Sequence, residues 1–342
     1  MAIKTLVFDY RDEEKEFFGT HELENFEITF YSNSLNDETV KEIPQEILDS
    51  TSVISVFVNS DVNENVINSF KNLRIISTRS TGIDHIDKQT ADEKNIAVIN
   101  VERYGTKSVA QYTFGLILAL IRKIIPASNY FLSGEKNLSE NFTGRDLSTL
   151  TLGVVGTGNI GIAVCRLAGA FGMKILAYDL IEKQEAVNNF NITYTGLNTL
   201  LKESDIITLH LPYTKDSYRM FSSEQFKLMK SSAYLVNTSR KEIVNTKDLY
   251  EAVSKGLIAG TALDVVFCKD KNFDCGNLST QTDENLQCFE EEQILKELAK
   301  LPDVIITPHI AYDTQDAVDY ILEVTFIAIS DCIKGGNSYR IY

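Results

Sequence analysis

A glycine pattern constrains the fold of this chain more than any other feature. The pattern Gly-x-Gly-x-x-Gly is formed by Gly156, Gly158 and Gly161. Where such a pattern joins a strand to a helix, the first glycine permits a tight turn, the second lets the backbone approach a pyrophosphate, and the third lets the helix pack closely on the sheet. The helix would begin near Asn159 and Ile160, and the N–H groups of its first turn would face the phosphates.

The flanking sequence supports a dinucleotide-binding interpretation of this pattern. The apolar run Thr151–Val155 predicts a strand before the turn, and Ile160–Phe171 predicts a helix after it. A second run, Lys174–Tyr178, ends at Asp179, where a carboxylate can accept hydrogen bonds from the adenosine ribose and repel a 2′-phosphate. The pattern therefore favours NAD over NADP. The alternative is a structural turn in an unrelated α/β sheet.

The composition fits a globular chain that acts on small molecules. The 342 residues suffice for about two domains. The net charge of −15 argues against nucleic acid or an anionic membrane as partner. The longest apolar stretch, Phe114–Ile125, is interrupted by Arg122 and Lys123 and is shorter than the ~20 residues of a membrane span. Because the N-terminus lacks a signal-peptide pattern, we expect a cytoplasmic protein.

Strands and helices are predicted to alternate along the whole chain in two series, which indicates parallel α/β sheets. The first series of predicted strands is Lys4–Phe8, Glu27–Tyr31, Ser52–Val58, Arg74–Thr78 and Ala97–Val101. The second is Thr151–Val155, Lys174–Tyr178, Asp205–Leu209, Ala233–Asn237, Ala259–Leu263 and Val304–Thr307. Five strands suggest a flavodoxin-like domain, and six suggest a complete doubly wound dinucleotide-binding (Rossmann) domain. The fold class is therefore α/β with two doubly wound parallel-sheet domains.

Helices are expected to join the two domains. The best candidates are Ser108–Ile125 and a final helix from Thr314 to about Ile333. The segment Cys268–Glu292 is polar and is expected to be an irregular surface excursion. It contains Cys268, Cys275 and Cys288, whose spacing lacks the paired form of a zinc site, so we expect no metal.

Three polar side chains follow strands of the second series: Arg240, Asp264 and His309. A nicotinamide enzyme needs a proton donor or acceptor beside the reacting carbon, and a cation for an anionic substrate. The planar guanidinium suits the second task. Because catalytic groups in such sheets lie at the carboxyl ends of strands, Arg240 and His309 are predicted to be catalytic. His210, at another strand end, and His85 are expected to be structural.

The loop Arg79-Ser80-Thr81-Gly82 follows a predicted strand of the first series. Its consecutive backbone N–H groups can form a cradle for a carboxylate. The competing interpretation is an ordinary strand-to-helix turn.

These residues together resemble the NAD-dependent D-2-hydroxyacid dehydrogenases, and within them the D-lactate dehydrogenases, including those of vancomycin-resistance operons. The resemblance covers nearly the whole chain. It rests on Ser77–Asp87, Ser108–Thr113, Val154–Gly161, Asn237–Arg240, Ala262–Val265 and Val304–His309.

The resemblance implies an oxidoreductase that reduces a 2-oxo acid to a D-2-hydroxy acid with NADH. It implies a substrate-binding domain of residues 1–102 and 310–342, an NAD-binding domain of residues 103–309, and a cleft between them. It also implies a homodimer built on the cofactor domains and the helix near Tyr112–Arg122.

The same resemblance assigns roles to individual residues. Arg240 would bind the substrate carboxylate and His309 would donate a proton. The remaining substrate contacts would come from Ser80, Thr81, Gly82 and Tyr104. The cofactor contacts would be Gly156, Gly158, Asn159, Ile160, Gly161, Asp179, Leu211, Pro212, Ser217, Thr238, Ser239 and Asp264, the last at the nicotinamide side.

The chain departs from the family pattern at the proposed proton donor. The family has a glutamate, which bonds the catalytic histidine, at the position of Lys269, although Asp270 would replace it if the loop bulges. Lys241 stands where the family has glycine, and Tyr104 is followed by Gly-Thr in place of Ser-Pro. The alternative function is therefore a catalytically weakened NAD(H)-binding relative that acts as a sensor or interaction protein.

Overall fold

A computed structural model of the chain describes residues 2–10, 14, 15, 17, 26–134, 142–265 and 283–341, without the side chains of 186, 188 and 283–289. The chain forms two compact units: Met1–Tyr104 with Thr314–Tyr342, and Gly105–Asp313. The predicted fold class of two parallel-sheet α/β domains is confirmed. The chain changes unit directly before two long helices, whereas the domain prediction placed the changes after 102 and after 309.

The first unit contains a five-stranded parallel sheet in the order β2-β1-β3-β4-β5. Every residue of β3, β4 and β5 is buried, as expected for strands covered on both faces. The strands are β1 Ile3–Phe8, β2 Phe26–Tyr31, β3 Val53–Val56, β4 Ile75–Thr78 and β5 Ala97–Asn100. The helices are α1 Gln45–Ser50, α2 Glu64–Asn68 and α3 Lys88–Glu93.

The second unit contains a seven-stranded parallel sheet in the order β12-β11-β10-β9-β6-β7-β8. Its strands are β6 Thr151–Val155, β7 Lys174–Tyr178, β8 Ile192–Tyr194, β9 Ile206–Leu209, β10 Tyr234–Asn237, β11 Gly260–Leu263 and β12 Val304–Ile306. Its helices are α4 Gly105–Ile121, α5 Ile124–Ser133, α6 Asn159–Ala170, α7 Gln184–Phe190, α8 Leu197–Glu203, α9 Ser223–Leu228, α10 Thr246–Ser254 and α11 Asp283–Leu298. The final helix, α12 Gln315–Ile333, returns to the first unit.

The second sheet differs from the prediction by one strand. The sequence predicted six strands, and the structure adds β8 at the edge, where Ile192 pairs with Ile175 of β7. This strand is only three residues long, so its sequence shows no strand periodicity of useful length.

The helix predicted over 108–125 is instead two helices. The break falls at Lys123, whose backbone adopts the left-handed conformation (φ 54°) before α5 begins. The Lys123 ammonium donates hydrogen bonds to Asp303 and to the Tyr234 hydroxyl, and the carboxylate of Asp303 helps raise the pKa of Lys123 against its desolvation. The ion pair with Asp303, which lies 180 residues further along the chain, stabilises this turn.

In the described residues no single helix is long and apolar enough to span a membrane; only α4 and α5 taken together, bent by 59°, pass that test.

The polar segment predicted as an irregular excursion is partly helical. Helix α11 begins at Asp283 and covers the end of the segment 268–292, which corrects the prediction there. Residues 266–282, including Cys268 and Cys275, lie outside the described residues. Among the residues that are described, no group of three or more His, Cys, Asp or Glu side chains is arranged to hold a metal ion.

Parallel pairing brings the ends of all seven strands to one edge of the second sheet. Val155 is paired with both Tyr178 and Leu209, and Leu263 is paired with Asn237 and Ile306. The residues that follow these strands therefore emerge side by side. The strand order reverses at β6, which is where ligands bind in doubly wound sheets.

Candidate active site

The glycine turn after β6 has the geometry that its sequence predicts. Gly156 has a positive φ of 94°, and a Cβ on it would lie 2.6 Å from the carbonyl oxygen of His210. A Cβ on Gly161 would collide with the carbonyl oxygen of Gly156, so α6 packs as closely as only glycine allows. A Cβ on Gly158, by contrast, would meet no atom within 4 Å. The turn therefore leaves open space at Gly158, beside the N-terminus of α6.

This open space suits a pyrophosphate. Gly158 is the N-cap of α6 and offers no side chain to the first turn, where Asn159 and Ile160 begin the helix. The uncapped N–H groups and the helix dipole together attract an anion. The chain therefore fits a dinucleotide at this turn.

Asp179 lies at the next strand end and is held by the same turn. Its Oδ2 accepts hydrogen bonds from the backbone N–H of Thr157 (2.5 Å) and from the Thr157 hydroxyl (2.9 Å), while Oδ1 accepts one from Ile181 N–H (3.2 Å). Partial desolvation raises the pKa of Asp179, but the hydrogen bonds from Thr157 and Ile181 outweigh it and leave the pKa below its ordinary value. Asp179 is therefore ionised at neutral pH.

His309 lies on a short segment after β12 that is organised by Asp264. The carboxylate of Asp264 is fully buried and accepts hydrogen bonds from the Thr307 hydroxyl (2.6 Å), Ile310 N–H (3.0 Å) and Ala311 N–H (2.8 Å). His309 itself is exposed and adopts a left-handed backbone conformation (φ 56°). Such a conformation is uncommon for a residue other than glycine and persists only when its surroundings impose it. Asp264 supplies that restraint.

The contacts of Asp264 go beyond the role that the sequence suggested. The sequence assigned it to the nicotinamide side of the cofactor, and that assignment stays a prediction. In the structure both carboxylate oxygens are engaged by the segment that carries His309. Asp264 thus positions the predicted proton donor.

Arg240 is positioned by Asn237, a residue that the sequence reasoning did not assign. The buried Asn237 side chain donates to the carbonyl oxygen of Arg240 (2.8 Å) and accepts from both the N–H (3.0 Å) and the hydroxyl (2.8 Å) of Ser239. The Arg240 guanidinium also donates to the carbonyl oxygen of Ser239 (2.8 Å). An asparagine that folds its side chain onto the next residues is a common turn device, and its position three residues before the arginine is the available sequence signal.

The other predicted cofactor contacts lie on the same edge. Thr238 is buried, and its hydroxyl is 2.9 Å from that of Thr113 on α4. The Ser217 hydroxyl donates to the carbonyl oxygen of Pro212 (2.8 Å), next to Leu211, and therefore closes the loop after β9. The structure thus brings all the predicted cofactor and catalytic residues of the second unit to one sheet edge.

His210 is a neutral side chain at the strand-order reversal. Its Nε2 lies 3.0 Å from the Thr208 hydroxyl, and its backbone N–H donates to the carbonyl oxygen of Val155. Burial lowers the pKa of His210 to about 3. This imidazole is therefore uncharged near neutrality, which fits the structural role expected for it.

The predicted substrate loop belongs to the first unit. The buried Ser80 hydroxyl bonds the carbonyl oxygen of Gly82 (2.7 Å) and the Thr78 hydroxyl (2.7 Å), which in turn bonds His85 Nε2 (3.0 Å). The Thr81 hydroxyl donates to the carbonyl oxygen of Val101 (3.0 Å). No described residue accepts a hydrogen bond from the N–H groups of Thr81 or Gly82. The side chains therefore fix the loop, and within the described residues these two donors remain available.

Arg79, beside this loop, is a structural residue. Its side chain is fully buried and donates to the Ser55 hydroxyl (3.0 Å) and to the carbonyl oxygens of Phe8 (2.7 Å) and Asp9 (3.0 Å). It ties β1, β3 and β4 together at their carboxyl ends. Tyr104 ends the first of the two segments of this unit and is half-buried. Lys269 and Asp270 lie outside the described residues.

The comparison with known families decides the identity of the chain. The model of the "D-isomer specific 2-hydroxyacid dehydrogenase, NAD binding domain" matches residues 114–311. The chain belongs to the D-isomer specific 2-hydroxyacid dehydrogenases. The resemblance noted from the sequence is therefore confirmed, and the cofactor is NAD.

Individual relatives of this dehydrogenase differ in the substrate that their names state. A glyoxylate reductase of Thermofilum pendens is 34% identical over 86% of this chain and 82% of its own. An aromatic 2-oxoacid reductase of Clostridium sporogenes is 33% identical, over 81% and 82%. The crystal structure of Aquifex aeolicus D-lactate dehydrogenase, complexed with NAD and lactic acid, has a TM-score of 0.83 and 34% identity, and covers 97% of this chain and 96% of its own.

The Asp264 contacts predict a large loss of activity in Asp264→Asn. The amide has a similar size, but its nitrogen would face backbone N–H donors and could not accept from them, so the His309 segment would relax. Because misplacement by about 1 Å can cost 10²-fold in rate, we expect kcat to fall by about two orders of magnitude. Steady-state kinetics with NADH and the best 2-oxo acid would measure it.

Asp205→Asn is the matched control for this dehydrogenase. Asp205 also accepts a backbone hydrogen bond, from Thr151 N–H (2.9 Å), but at the opposite edge of the same sheet. Each variant removes a carboxylate acceptor, which costs about 1–3 kcal/mol of unfolding free energy. Equal losses of kcat in the two variants would refute the positioning role of Asp264.

The low pKa of His210 predicts a pH-dependent contribution to stability. In the unfolded chain its pKa is about 6.5, against about 3 in the folded protein, so between these values the unfolded state binds more protons. Stability then falls as the pH drops below about 6.5. We expect His210→Gln to lose less Tm than the wild type between about pH 7 and pH 4.5, as measured by thermal scanning. An identical loss of Tm in both proteins would contradict this.

Proposed function

We propose that this dehydrogenase reduces a 2-oxo acid with Arg240 as the carboxylate-binding cation and His309 as the proton donor. Reduction of 2-oxo acids with NADH is the activity of the family. The assignment of the two residues is carried by the way the structure holds them: Asn237 fixes the Arg240 turn and Asp264 fixes the His309 segment. Both turns leave the same edge of one sheet, from β10 and β12, and β11 with Asp264 lies between them.

Charge supports the role of Arg240. The chain carries a net charge of −15, so a 2-oxo acid anion needs a local cation to bind. A guanidinium can bind both oxygens of a carboxylate in a fixed plane. Arg240 follows β10, which only β9 separates from β6, where the strand order reverses and the cofactor is expected.

The proton has to reach the carbonyl oxygen of the substrate. When bound, the reduced nicotinamide supplies the hydride for the carbonyl carbon. His309, protonated and exposed on its restrained turn, then donates its proton to the oxygen as negative charge develops there, so the oxygen becomes a hydroxyl group. Asp264 takes no part in this transfer; it holds the backbone segment that carries His309.

The substrate contacts of the first unit are part of the same proposal. The N–H groups of Ser80, Thr81 and Gly82 would bind the substrate carboxylate, and Tyr104 would contact the substrate. The hydrogen bonds that fix this loop support the assignment, because donors that are already ordered lose little entropy when a ligand binds.

The activity is tested by NADH oxidation with pyruvate, glyoxylate, branched-chain, aromatic and dicarboxylic 2-oxo acids. We expect saturable turnover with one class and a D product by chiral chromatography. Arg240→Lys should reduce kcat/KM by about 10- to 100-fold, since the lysine loses the two-pronged hydrogen bond. Arg145→Lys, an exposed arginine at the opposite sheet edge next to Asp205, is the control and should keep wild-type kinetics.

Failure of the chemistry would have a distinct signature. NADH binding by fluorescence without turnover of any of these acids would overturn the proposed reaction. It would leave a nucleotide-binding relative without chemistry, which is the alternative that the sequence raised.

We also propose that the dehydrogenase forms a homodimer through α5 and the adjoining end of α4. None of the ten side chains of α5 is buried, and Phe131 and Leu132 are 83% and 76% exposed. Ile124 and Ile125 extend the same apolar surface. Apolar side chains grouped in this way commonly mark a protein–protein interface, and the resemblance implies a second copy of the chain as partner.

Analytical ultracentrifugation tests the dimer. The wild type should sediment as a dimer, and Phe131→Glu should shift the equilibrium towards the monomer because it places a charge in an apolar interface. Ile327→Glu, at an exposed position of α12 in the first unit, should remain dimeric. A monomeric wild type, or a dimer that Phe131→Glu leaves unchanged, would refute this surface.

A further inference from the structure

A chain of hydroxyl groups connects the edge strand β8 to the predicted ribose carboxylate. The Tyr194 hydroxyl, at the end of β8, donates to the Thr157 hydroxyl (2.9 Å), and the Thr157 hydroxyl donates to Asp179 Oδ2 (2.9 Å). The Tyr194 hydroxyl also accepts from the N–H of Lys183 (3.2 Å). One phenol therefore contacts both the glycine turn and the loop that follows Asp179.

The direction of each hydrogen bond is fixed by chemistry. An ionised carboxylate only accepts, so the single proton of the Thr157 hydroxyl points to Asp179. The Thr157 oxygen can then only accept from Tyr194, and the Tyr194 oxygen accepts from Lys183. Hydrogen bonds arranged in one direction polarise each other and hold their members in one orientation. Thr157 is fully buried, so water cannot easily replace Tyr194 as its donor.

We propose that Tyr194 is a positioning residue for cofactor selectivity, which acts through Thr157 on the orientation of Asp179. This inference rests on the proposed role of Asp179 at the adenosine ribose. Tyr194 touches neither the cofactor nor the substrate in this account. Tyr194 fixes the plane of the Asp179 carboxylate, which would bind the ribose hydroxyls.

NADH and NADPH respond differently to that orientation. Thr157 occupies Oδ2 with two hydrogen bonds, so a ribose hydroxyl is directed to Oδ1, which otherwise accepts from Ile181. A hydrogen bond weakens steeply as its angle departs from linear. The repulsion between Asp179 and a 2′-phosphate depends on charge and distance, and a small rotation of the carboxylate hardly alters it. Loss of the Tyr194 hydroxyl should therefore weaken NADH binding and leave NADPH binding nearly unchanged.

The first experiment measures the Kd of NADH and of NADPH by fluorescence titration for the wild type and Tyr194→Phe. We expect about a 3- to 10-fold weaker Kd for NADH, the size of one hydrogen bond, and a change of less than about twofold for NADPH. Tyr234→Phe is the matched control. This change also removes one hydrogen bond of a phenol, which the Tyr234 oxygen accepts from the Lys123 ammonium (3.2 Å). It lies at the opposite edge of the same sheet and should leave both Kd values unchanged.

A double-variant cycle tests the path through Thr157. Thr157→Val removes the linking hydroxyl and keeps the backbone N–H. In the Thr157→Val background, Tyr194→Phe should change the Kd of NADH by less than about twofold, because the effects of substitutions at coupled residues are not additive. Full additivity of the two variants, or an equal weakening of NADH and NADPH by Tyr194→Phe, would overturn the inference.

Asp179→Ala separates failure of this inference from failure of the proposed role of Asp179. If Asp179→Ala leaves the ratio of the Kd values of NADH and NADPH unchanged, the Asp179 carboxylate does not bind the ribose and its proposed role is refuted. If Asp179→Ala removes the preference for NADH while Tyr194→Phe leaves it intact, only the positioning by Tyr194 is refuted.

Discussion

The parallel pairing of seven strands is the constraint on which the candidate active site depends. In a parallel sheet every strand leaves at the same edge, so residues distant in sequence emerge next to each other. The pairing of Leu263 with Asn237 and Ile306 places the segments of Asp264, Arg240 and His309 on adjacent strands. No contact between these side chains is needed to bring them together, because the backbone ladder already fixes their order.

A second layer of order comes from polar side chains that bond the backbone just beyond each strand. Asn237 and Asp264 face the turn segments of Arg240 and His309, and Asp179 faces the glycine turn. In each case an oxygen accepts N–H groups that would otherwise lack partners at the end of a strand. The sheet sets the spacing of the site, and these acceptors set the directions in which its side chains leave. Groups held in this way need little rearrangement when the substrate arrives, which is the basis of preorganised catalysis.

The sequence predicted the parts of this structure that short apolar runs define. Strands β6 and β7 begin and end where predicted, since a glycine turn and Asp179 bound them sharply. Strand β8 was missed because pairing with β7 makes it a strand, and its own three residues do not. The helix break at Lys123 depends on Asp303, 180 residues away, and the Asp264 contacts depend on the fold of the segment after β12. Interactions between distant residues of this kind leave no periodic signal in a single sequence.

Both outer strands of the second sheet are only three residues long, β12 at one edge and β8 at the other. An exposed strand edge is a template on which another chain can add itself. Edges this short expose few unpaired backbone groups, and a net charge of −15 adds repulsion between copies of the chain. The sheet can therefore be wide enough for a dinucleotide cofactor without offering a long edge on which other chains add. The short outer strands thus raise the concentration at which this protein stays in solution.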